Sequence, residues 1–422
     1  MRKASAAVAA FLICSFGVEL TTTTSVASAE SQQGVTANTI KVGVTYADVA
    51  AIRNIINVDP GNYQVAYTAL FNQINAKGGI DGRKIVPVFA PVNPLGTAGA
   101  ATACTQLTED DKVFAVLGFF QQPDSACYVQ THNVPIIGAS LSTDQAKAAT
   151  APWYNNLISD SDLVPKEMAV FKQEGVFKGE KVAVVGTNID QPEINTVLPV
   201  LHKEGVDVVQ TAVNSVPDTD TAAQVQEYGT IAQRFQSAGA DVVVSVGNAG
   251  NGFPSALQST QSPYRPRIVA TDYTTLDAYT SNKAGYTQSI LKGAITAGGI
   301  PPASIWWNDP TMKRCFATIQ AAEPSAAINN PVTATASTPV TWTAPQTACV
   351  QVALFADIAT AAGKALTNTT FAAGAASLTH LTLPGGGGTF NFSHGHNDGN
   401  GPVFIYQWSP TKNVLALKTT VG

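Results

Sequence analysis

The sequence predicts an α/β protein made of two lobes, each a parallel sheet covered by helices. Six short apolar runs end in a small or polar residue and precede a helix-like stretch, at residues 40–45, 113–118, 134–140, 181–186, 241–247 and 267–271. Strands that alternate with helices and lack period-2 polarity are buried on both faces, as in parallel sheets. The 422 residues also exceed the roughly 250–300 at which one core usually divides. Ligands bind such sheets at the carboxyl ends of the strands, so the residues that close the runs are candidates for function.

Residues 1–29 predict a secretory signal peptide that lies outside the fold. Arg2 and Lys3 give a positive start, residues 4–18 are apolar, and residues 27–29 form a small-x-small cleavage site. The apolar stretch is too short for a stable membrane span. A lipid anchor at Cys14 is disfavoured, because Ile13 stands where the processing site needs a small residue. The sequence therefore predicts a soluble extracytoplasmic protein, either periplasmic or secreted.

Charge and cysteine content narrow the possible functions. A formal net charge of −5 with 13% charged residues makes a poor nucleic-acid-binding protein. Four cysteines remain after the predicted cleavage, and an even number in an exported chain indicates two disulfides. Three pairings are possible, and proximity along the chain favours Cys104–Cys127 and Cys315–Cys349. A metal site is disfavoured, since the sequence contains no CxxC motif.

Each element follows from local periodicity and turn chemistry. The apolar face of residues 63–77 predicts a helix that Gly78 and Gly79 end. The other predicted helices are 98–108, a short helix at Cys127, 163–174 with Pro165 in its first turn, 194–204, 222–238, 253–258 and 349–366. Beyond the six runs, predicted strands are 84–89, 206–211, 389–392 and 403–408. Residues 325–346, rich in Thr, Ala, Pro and Asn, predict an irregular surface excursion bracketed by Cys315 and Cys349.

Several of these segments resemble the leucine/isoleucine/valine-binding type of periplasmic solute receptor, which serves ABC transporters. The most specific is residues 74–84, INAKGGIDGRK, and the runs 40–45, 113–118 and 134–143 match further family signatures. The resemblance implies a type I periplasmic binding protein fold, in which two Rossmann-like lobes are joined by three crossover strands. These crossings map near residues 158–162, 291–299 and 393–400, which puts residues 35–159 plus 295–395 in lobe 1 and residues 160–294 plus 396–422 in lobe 2.

The resemblance also implies a function. A small polar solute, such as an amino acid, an amide or a related acid, binds between the lobes, which close over it. The closed form then docks on the permease subunits of an ABC transporter. The family pattern implies a monomer with no catalytic residues, no cofactor and no metal.

Such receptors hold a zwitterion through groups at strand ends. Backbone N–H groups and hydroxyls bind the carboxylate, a carboxylate neutralises the ammonium, and apolar groups contact the side chain. By position the ligand loops map onto Tyr46, Phe119, Phe120, Gln121, Leu141 (backbone), Ser142 (hydroxyl), Asn188, Asn248 and, as the ammonium partner, Asp272. Family members often have serines where this chain has Phe119 and Phe120, so its specificity departs from the family pattern.

Plainer interpretations compete for several of these residues. Ser142 and Asp272 could each cap a helix, and Phe119 and Phe120 could pack inside a lobe. Residues 394–398, HGHND, could bind a metal, but the matching family segment is a Gly/Asp turn. The glycines at 385–388 lack the Lys-Ser/Thr of a phosphate loop.

Two other functional classes stay open. An exported α/β enzyme is disfavoured, because the chain has no G-x-S-x-G elbow and no G-x-G-x-x-G in its first βα turn. A binding protein that senses its ligand for signalling is compatible with the same pattern, because fold alone does not decide function.

Overall fold

The computed structural model describes residues 32–52, 59–93, 98–120, 124–141, 143–217, 220–281, 285–334 and 338–422. The predicted signal peptide lies outside these residues. Residues Gln32–Gly422 form one compact unit. Within the described ranges, no helix combines the length and the apolar character that crossing a membrane requires.

Two sheets organise the chain. The first has the order β2-β1-β3-β4-β5, with all neighbours parallel, and consists of β1 (Thr39–Ala47), β2 (Lys84–Val92), β3 (Ala115–Gly118), β4 (Ile136–Ile137) and β5 (Trp153–Tyr154). The second has the order β12-β11-β10-β9-β8-β6-β7 and consists of β6 (Lys181–Thr187), β7 (Asp207–Asn214), β8 (Val242–Ser245), β9 (Arg267–Ala270), β10 (Ile295–Gly298), β11 (Val403–Ser409) and β12 (Val414–Val421). Only the β10/β11 and β11/β12 neighbours are antiparallel.

Twelve described α-helices cover the sheets. They are α1 (Tyr63–Ala76), α2 (Ala98–Thr105), α3 (Thr143–Ala148), α4 (Asp160–Gln173), α5 (Gln191–Lys203), α6 (Thr221–Ser237), α7 (Ala249–Ser259), α8 (Tyr273–Thr280), α9 (Ala303–Trp306), α10 (Pro310–Ala322), α11 (Thr343–Ala362) and α12 (Asn368–Ser377). Single π-helical turns follow at Gln106–Asp110 and Cys127–Thr131, and 3-10 turns at Val49–Ile52 and Ser393–Gly395.

The local chemistry of α1 shows why the helix has these bounds. The Asn62 side chain accepts a hydrogen bond from the backbone N–H of Val65, so it caps the helix. At the other end Gly79 has φ +76°, and a Cβ there would lie 2.0 Å from the carbonyl oxygen of Arg83. Only glycine fits this turn into β2.

Buried aromatic side chains hold the helices on the sheets. Around the first sheet, Tyr67, Phe71, Phe355 and Phe371 are all fully buried in one cluster. The second sheet carries a buried cluster on each face, as expected for a sheet covered by helices on both sides. The predicted α/β class with two sheets is therefore confirmed.

The chain passes between the sheets three times. It leaves the first sheet after β5, returns after β10, and enters the second sheet again at β11. These passages lie close to the three predicted crossings. Strand β10 belongs to the second sheet, which favours moving the proposed lobe boundary from residue 295 to after Gly298.

Both predicted disulfides are confirmed. Cys104–Cys127 joins α2 to the π-helical turn at Cys127–Thr131, and Cys315–Cys349 joins α10 to α11. The second bridge closes the chain around the excursion, most of which forms no regular element within its described residues.

Some expectations about elements are wrong. Residues 389–392 do not form a strand, and Phe390 makes only an isolated bridge to Leu381. The alternating apolar pattern of residues 389–392 instead buries Phe390 and Phe392 in the core of the first sheet. Helix α4 begins at Asp160, so Pro165 lies inside the helix rather than in its first turn. The sequence prediction also missed β5, β12, α8, α9, α10 and α12.

Candidate functional site

A cavity of about 490 Å³ opens at the carboxyl edge of the first sheet. We call it the strand-end cavity. Gly118 at the end of β3 and Gly138 just after β4 form its floor, and Phe119 and Phe120 follow directly from β3. Two passages between the sheets, residues 155–157 and 299–301, also line it, together with Thr343, Gln346, Thr347, Val350 and Gln351 of α11 and residues 384–386 and Phe390. The cavity therefore lies where the fold places a ligand.

Backbone and side-chain hydrogen bonds position Phe119. Its N–H donates to the carbonyl oxygen of Thr45 on β1 (3.1 Å), and the Thr45 hydroxyl donates to the carbonyl oxygen of Phe119 (2.7 Å). Phe120 packs edge-on against Tyr128, with ring centroids 5.5 Å apart. Both phenylalanines are half-buried and line the cavity, so each packs in its lobe and presents a face to the cavity.

Gln351 on α11 holds the floor of the strand-end cavity together. Its side-chain N–H₂ donates to the carbonyl oxygen of Gly118 (3.1 Å), and its side-chain oxygen accepts from the hydroxyl of Tyr67 (2.5 Å). A Cβ at Gly138 would lie 2.1 Å from the Gln351 nitrogen, so the glycine makes room for this amide. Gln351 was not among the predicted site residues, because the neighbouring sequence does not indicate that a glutamine in this apolar helix is buried.

Other polar groups of the cavity are not engaged by described protein atoms. The side-chain amides of Gln346 and Asn156 and the hydroxyl of Tyr63 line the cavity without a hydrogen bond to any described residue. Burial raises the pKa of Tyr63, so its hydroxyl keeps its proton and stays a donor. The described lining includes no Asp, Glu, Lys, Arg or His.

A larger space of about 680 Å³, the outer cavity, adjoins the first and shares Ala47 and Tyr63 with it. Tyr46 lies here, stacked on Tyr63 with centroids 6.0 Å apart, and its hydroxyl accepts a hydrogen bond from Gln64 (2.8 Å). The excursion forms the opposite wall through residues such as Asn329 and Thr341. Tyr46 is thus at the rim of the predicted site rather than in the strand-end cavity.

The carboxyl edge of the second sheet is organised by Asp190. Its carboxylate accepts from the N–H and the hydroxyl of Thr187 (2.8 and 2.7 Å) and from the N–H of Asn248 (3.4 Å). Gly247 lies against it, since a Cβ there would be 2.3 Å from the carboxylate oxygen. These contacts tie the ends of β6 and β8, and the sequence prediction had not singled out Asp190.

The second sheet also positions three predicted ligand residues. Asp272 caps α8, because its carboxylate accepts from the N–H and the hydroxyl of Thr274 (2.7 and 2.8 Å). Asn248 is exposed and lines a separate cavity of about 400 Å³, the second-lobe cavity. Asn188 is exposed and donates to the carbonyl oxygen of Ser215 (3.3 Å). Among described residues, the strand-end cavity and the second-lobe cavity share none, so the structure does not bring these residues to Phe119.

The remaining predicted residues have simpler outcomes. Leu141 is 8% exposed and packs in the core beside β4. Gln121 and Ser142 lie outside the described residues, so their predicted roles stay predictions.

The HGHND segment takes part in the third passage between the sheets. Asp398 is buried, and its carboxylate accepts from the N–H groups of Ser159 (2.7 Å) and Asn400 (3.0 Å). His396 Nδ1 lies 3.6 Å from the Asp162 carboxylate. Burial, and then the charge of Asp398, raise the pKa of Asp162. The segment therefore forms a turn that links this passage to the start of α4.

A sequence profile of a periplasmic binding protein family matches residues 39–413 of the chain. The chain belongs to this family. The match spans every described strand except β12 and all three passages between the sheets, so the predicted type I fold and family resemblance are confirmed. No curated protein matches this periplasmic binding protein at a significant level.

Solved structures agree with this periplasmic binding protein in fold. An ABC transporter substrate-binding protein from Desulfitobacterium hafniense, in complex with Leu, has a TM-score of 0.60 at 14% identity, covering 90% of this chain and 100% of its own. A solute-binding protein from Rhodopseudomonas palustris HaA2, in complex with p-hydroxybenzoic acid, has 0.61 at 16%, covering 91% and 97%. A fatty acid ABC transporter substrate-binding protein from Thermomonospora curvata has 0.58 at 14%, covering 93% and 94%. At these identities the likeness concerns the fold.

Proposed function

We propose that this protein captures a small organic solute in the strand-end cavity and delivers it to the permease subunits of an ABC transporter. One observation carries the proposal. The cavity lies where the first sheet's strand ends meet two passages between the sheets, so a bound solute touches the segments that must bend when the lobes close. A ligand that contacts such segments stabilises one lobe arrangement over another.

The size of the cavity suits this role. A volume of about 490 Å³ lies within the roughly 300–1,000 Å³ of typical small-molecule sites. The structural neighbours were solved with leucine or p-hydroxybenzoic acid, or are named for fatty acids, so proteins of this fold accept solutes of differing polarity. On closure the second lobe, through Asn188, Asn248 and Asp272, would cover the cavity from the other side.

The cellular setting follows from the same assignment. Family membership supports an extracytoplasmic location, and residues 1–29 would supply the export signal. We propose a monomer that binds without chemical turnover, since lobe closure needs no second subunit. Phe119, Phe120 and Gln121 would contact the solute, with Tyr46 at the rim and Leu141 and Ser142 on the neighbouring loop.

Ligand capture is tested by releasing and identifying the solute that the purified protein retains, followed by calorimetric titration with it. Binding should stabilise the protein by about 2.7 kcal/mol at 100 times the dissociation constant. Phe119→Ala should weaken binding about ten-fold or more, because it removes an aromatic wall. The matched control is Val86→Ala, an exposed position on the edge strand β2, which should bind as the unmodified protein does. Unaltered binding by the Phe119 variant would argue against this cavity as the site.

A further inference from the structure

We infer that the solute carries no ammonium group, and that the strand-end cavity selects an uncharged aromatic or branched aliphatic compound with an amide or hydroxyl head. This inference rests on the proposed function and narrows its ligand. It departs from the zwitterion that the family resemblance implies.

The described walls of the cavity are largely apolar. Phe119, Phe120 and Phe390 contribute aromatic surface, and Leu157 and Val350 contribute aliphatic surface. Aromatic rings at these positions match an aromatic or branched aliphatic body, whose removal from water favours binding.

Nothing in the described lining neutralises a positive charge. An ammonium that leaves water needs a carboxylate partner, and this lining contains no charged side chain. The residues that follow Phe120 in the sequence, Gln121, Gln122 and Pro123, are uncharged as well.

Two acids at the carboxyl edge of the second sheet accept hydrogen bonds from neighbouring residues. Asp272 is engaged by the N–H and hydroxyl of Thr274, and Asp190 by Thr187 and Asn248. An ionised carboxylate has about four lone-pair sites, so these hydrogen bonds hold each acid in place and leave it able to accept from a ligand. Asp272 caps α8 in the structure, and it belongs in the test of ligand charge because it lies outside the described lining of the strand-end cavity.

Three acids line the adjoining outer cavity. Asp48 and Asp59 accept hydrogen bonds from the N–H groups of Ala50 and Gly61. Glu323 keeps one buried carboxylate oxygen without a hydrogen bond. Glu323 is thus a further acid to include in the test of ligand charge.

The polar groups that remain in the strand-end cavity are neutral. Gln346 and Asn156 offer amides, and Tyr63 offers a hydroxyl donor, all without described protein partners. Gln351 and Asn155 are already used, the latter by Ser140 and Asn156. An amide or hydroxyl head satisfies this set without leaving a buried charge.

The test compares ligands that share a carbon skeleton and differ in charge. Calorimetry at neutral pH measures 3-phenylpropanamide against phenylalanine, and 4-methylpentanamide against leucine. The amides should bind at least ten-fold more tightly than the amino acids. Gln346→Ala should weaken amide binding roughly two- to ten-fold, the effect of one neutral hydrogen bond. Glu323→Gln should leave amide binding unchanged.

Tighter binding of leucine or phenylalanine than of the amides would overturn the inference while leaving solute capture intact. So would a selective loss of amino-acid binding in Asp272→Ala or Glu323→Gln. If neither series binds, mass spectrometry of the retained solute decides: a neutral compound supports the inference and one with an ammonium group refutes it. A protein that retains no solute and responds to no metabolite of a broad panel contradicts the proposed function itself.

Discussion

The side-chain amide of Gln351 on α11 donates a hydrogen bond to the carbonyl oxygen of Gly118 at the end of β3, across a helix–sheet interface. The two residues are separated by 233 positions in the sequence. The contact joins the floor of the strand-end cavity to the helix that forms its wall. Substitutions at different residues of α11 should therefore affect stability and ligand binding separately.

Replacing Gln351 with Leu should destabilise the protein by about 2–4 kcal/mol, because the buried Tyr67 hydroxyl and Gly118 carbonyl each lose a partner. Urea unfolding measures the change. The matched control is Gln346→Leu on the same helix, whose amide has no described protein partner. It should change stability by no more than about 0.5 kcal/mol while weakening ligand binding. Equal losses of stability in the two variants would contradict the assigned contacts.

Alanine at Gly118 should be far more costly than alanine at Gly78. Both glycines have positive φ, +127° and +105°, so both substitutions strain the backbone by about 1–2 kcal/mol. A Cβ at Gly118 would also lie 1.9 Å from the Thr45 carbonyl oxygen, whereas nothing lies within 4 Å at Gly78. Denaturant unfolding should show that Gly118→Ala lowers the free energy of unfolding by about 3 kcal/mol or more. Comparable losses of stability at the two sites would mean that β1 and β3 can separate enough to admit a Cβ at Gly118.

Removing either disulfide should cost about 3–4 kcal/mol, since each bridge restricts a loop in the unfolded chain. The sequence separations are 23 for Cys104–Cys127 and 34 for Cys315–Cys349, so the two losses should agree within about 0.5 kcal/mol. Paired Cys→Ser variants and thermal unfolding measure them. Four reactive thiols in the native protein would rule out both bridges.

Asp357 on α11 should make stability depend on pH. Burial raises the pKa of this carboxyl above its ordinary value of 3.8. Its contribution to stability is fully present below 3.8 and is lost as the pH rises through the folded-state pKa. Asp357→Asn should therefore be more stable than the unmodified protein at neutral pH, and the difference should vanish in acid. Exposed Asp207→Asn serves as the control, with a change within about 0.5 kcal/mol at neutral pH. A neutral or destabilising Asp357→Asn at neutral pH would refute this account.

Local patterns carried much of the fold. Each of the six apolar runs overlaps a strand, because buried parallel strands must be apolar on both faces. The even cysteine count indicated two disulfides, and proximity along the chain favoured the pairing that the structure shows. The glycine pair at 78–79 correctly marked the end of α1. Elements with weak periodicity, such as α8, α12 and β12, were not predicted, because they are stabilised by packing and have no clear local pattern in the sequence.

Some residues of the candidate site could be predicted from the sequence, and others only from the structure. Phe119 and Phe120, predicted from their position after a strand, line the strand-end cavity, since strand ends meet at one edge of a parallel sheet. Position alone does not say whether a side chain is already engaged, and Asp272 proved to hold the first turn of α8. The residues that shape the cavity, Gln346 and Gln351, come from a helix far along the chain.

The amino-acid sequence by itself determined the class of the fold and favoured the observed pairing of the cysteines, because apolar runs and cysteine spacing are short-range patterns. The tertiary structure alone decided which polar groups meet. Asp190 orders the second sheet's edge and Gln351 the first sheet's floor, and hydrogen bonds across dozens to hundreds of residues leave no mark in local sequence. The absence of charge from the described walls of the strand-end cavity is likewise a property of packing, and it sets the ligand chemistry we expect.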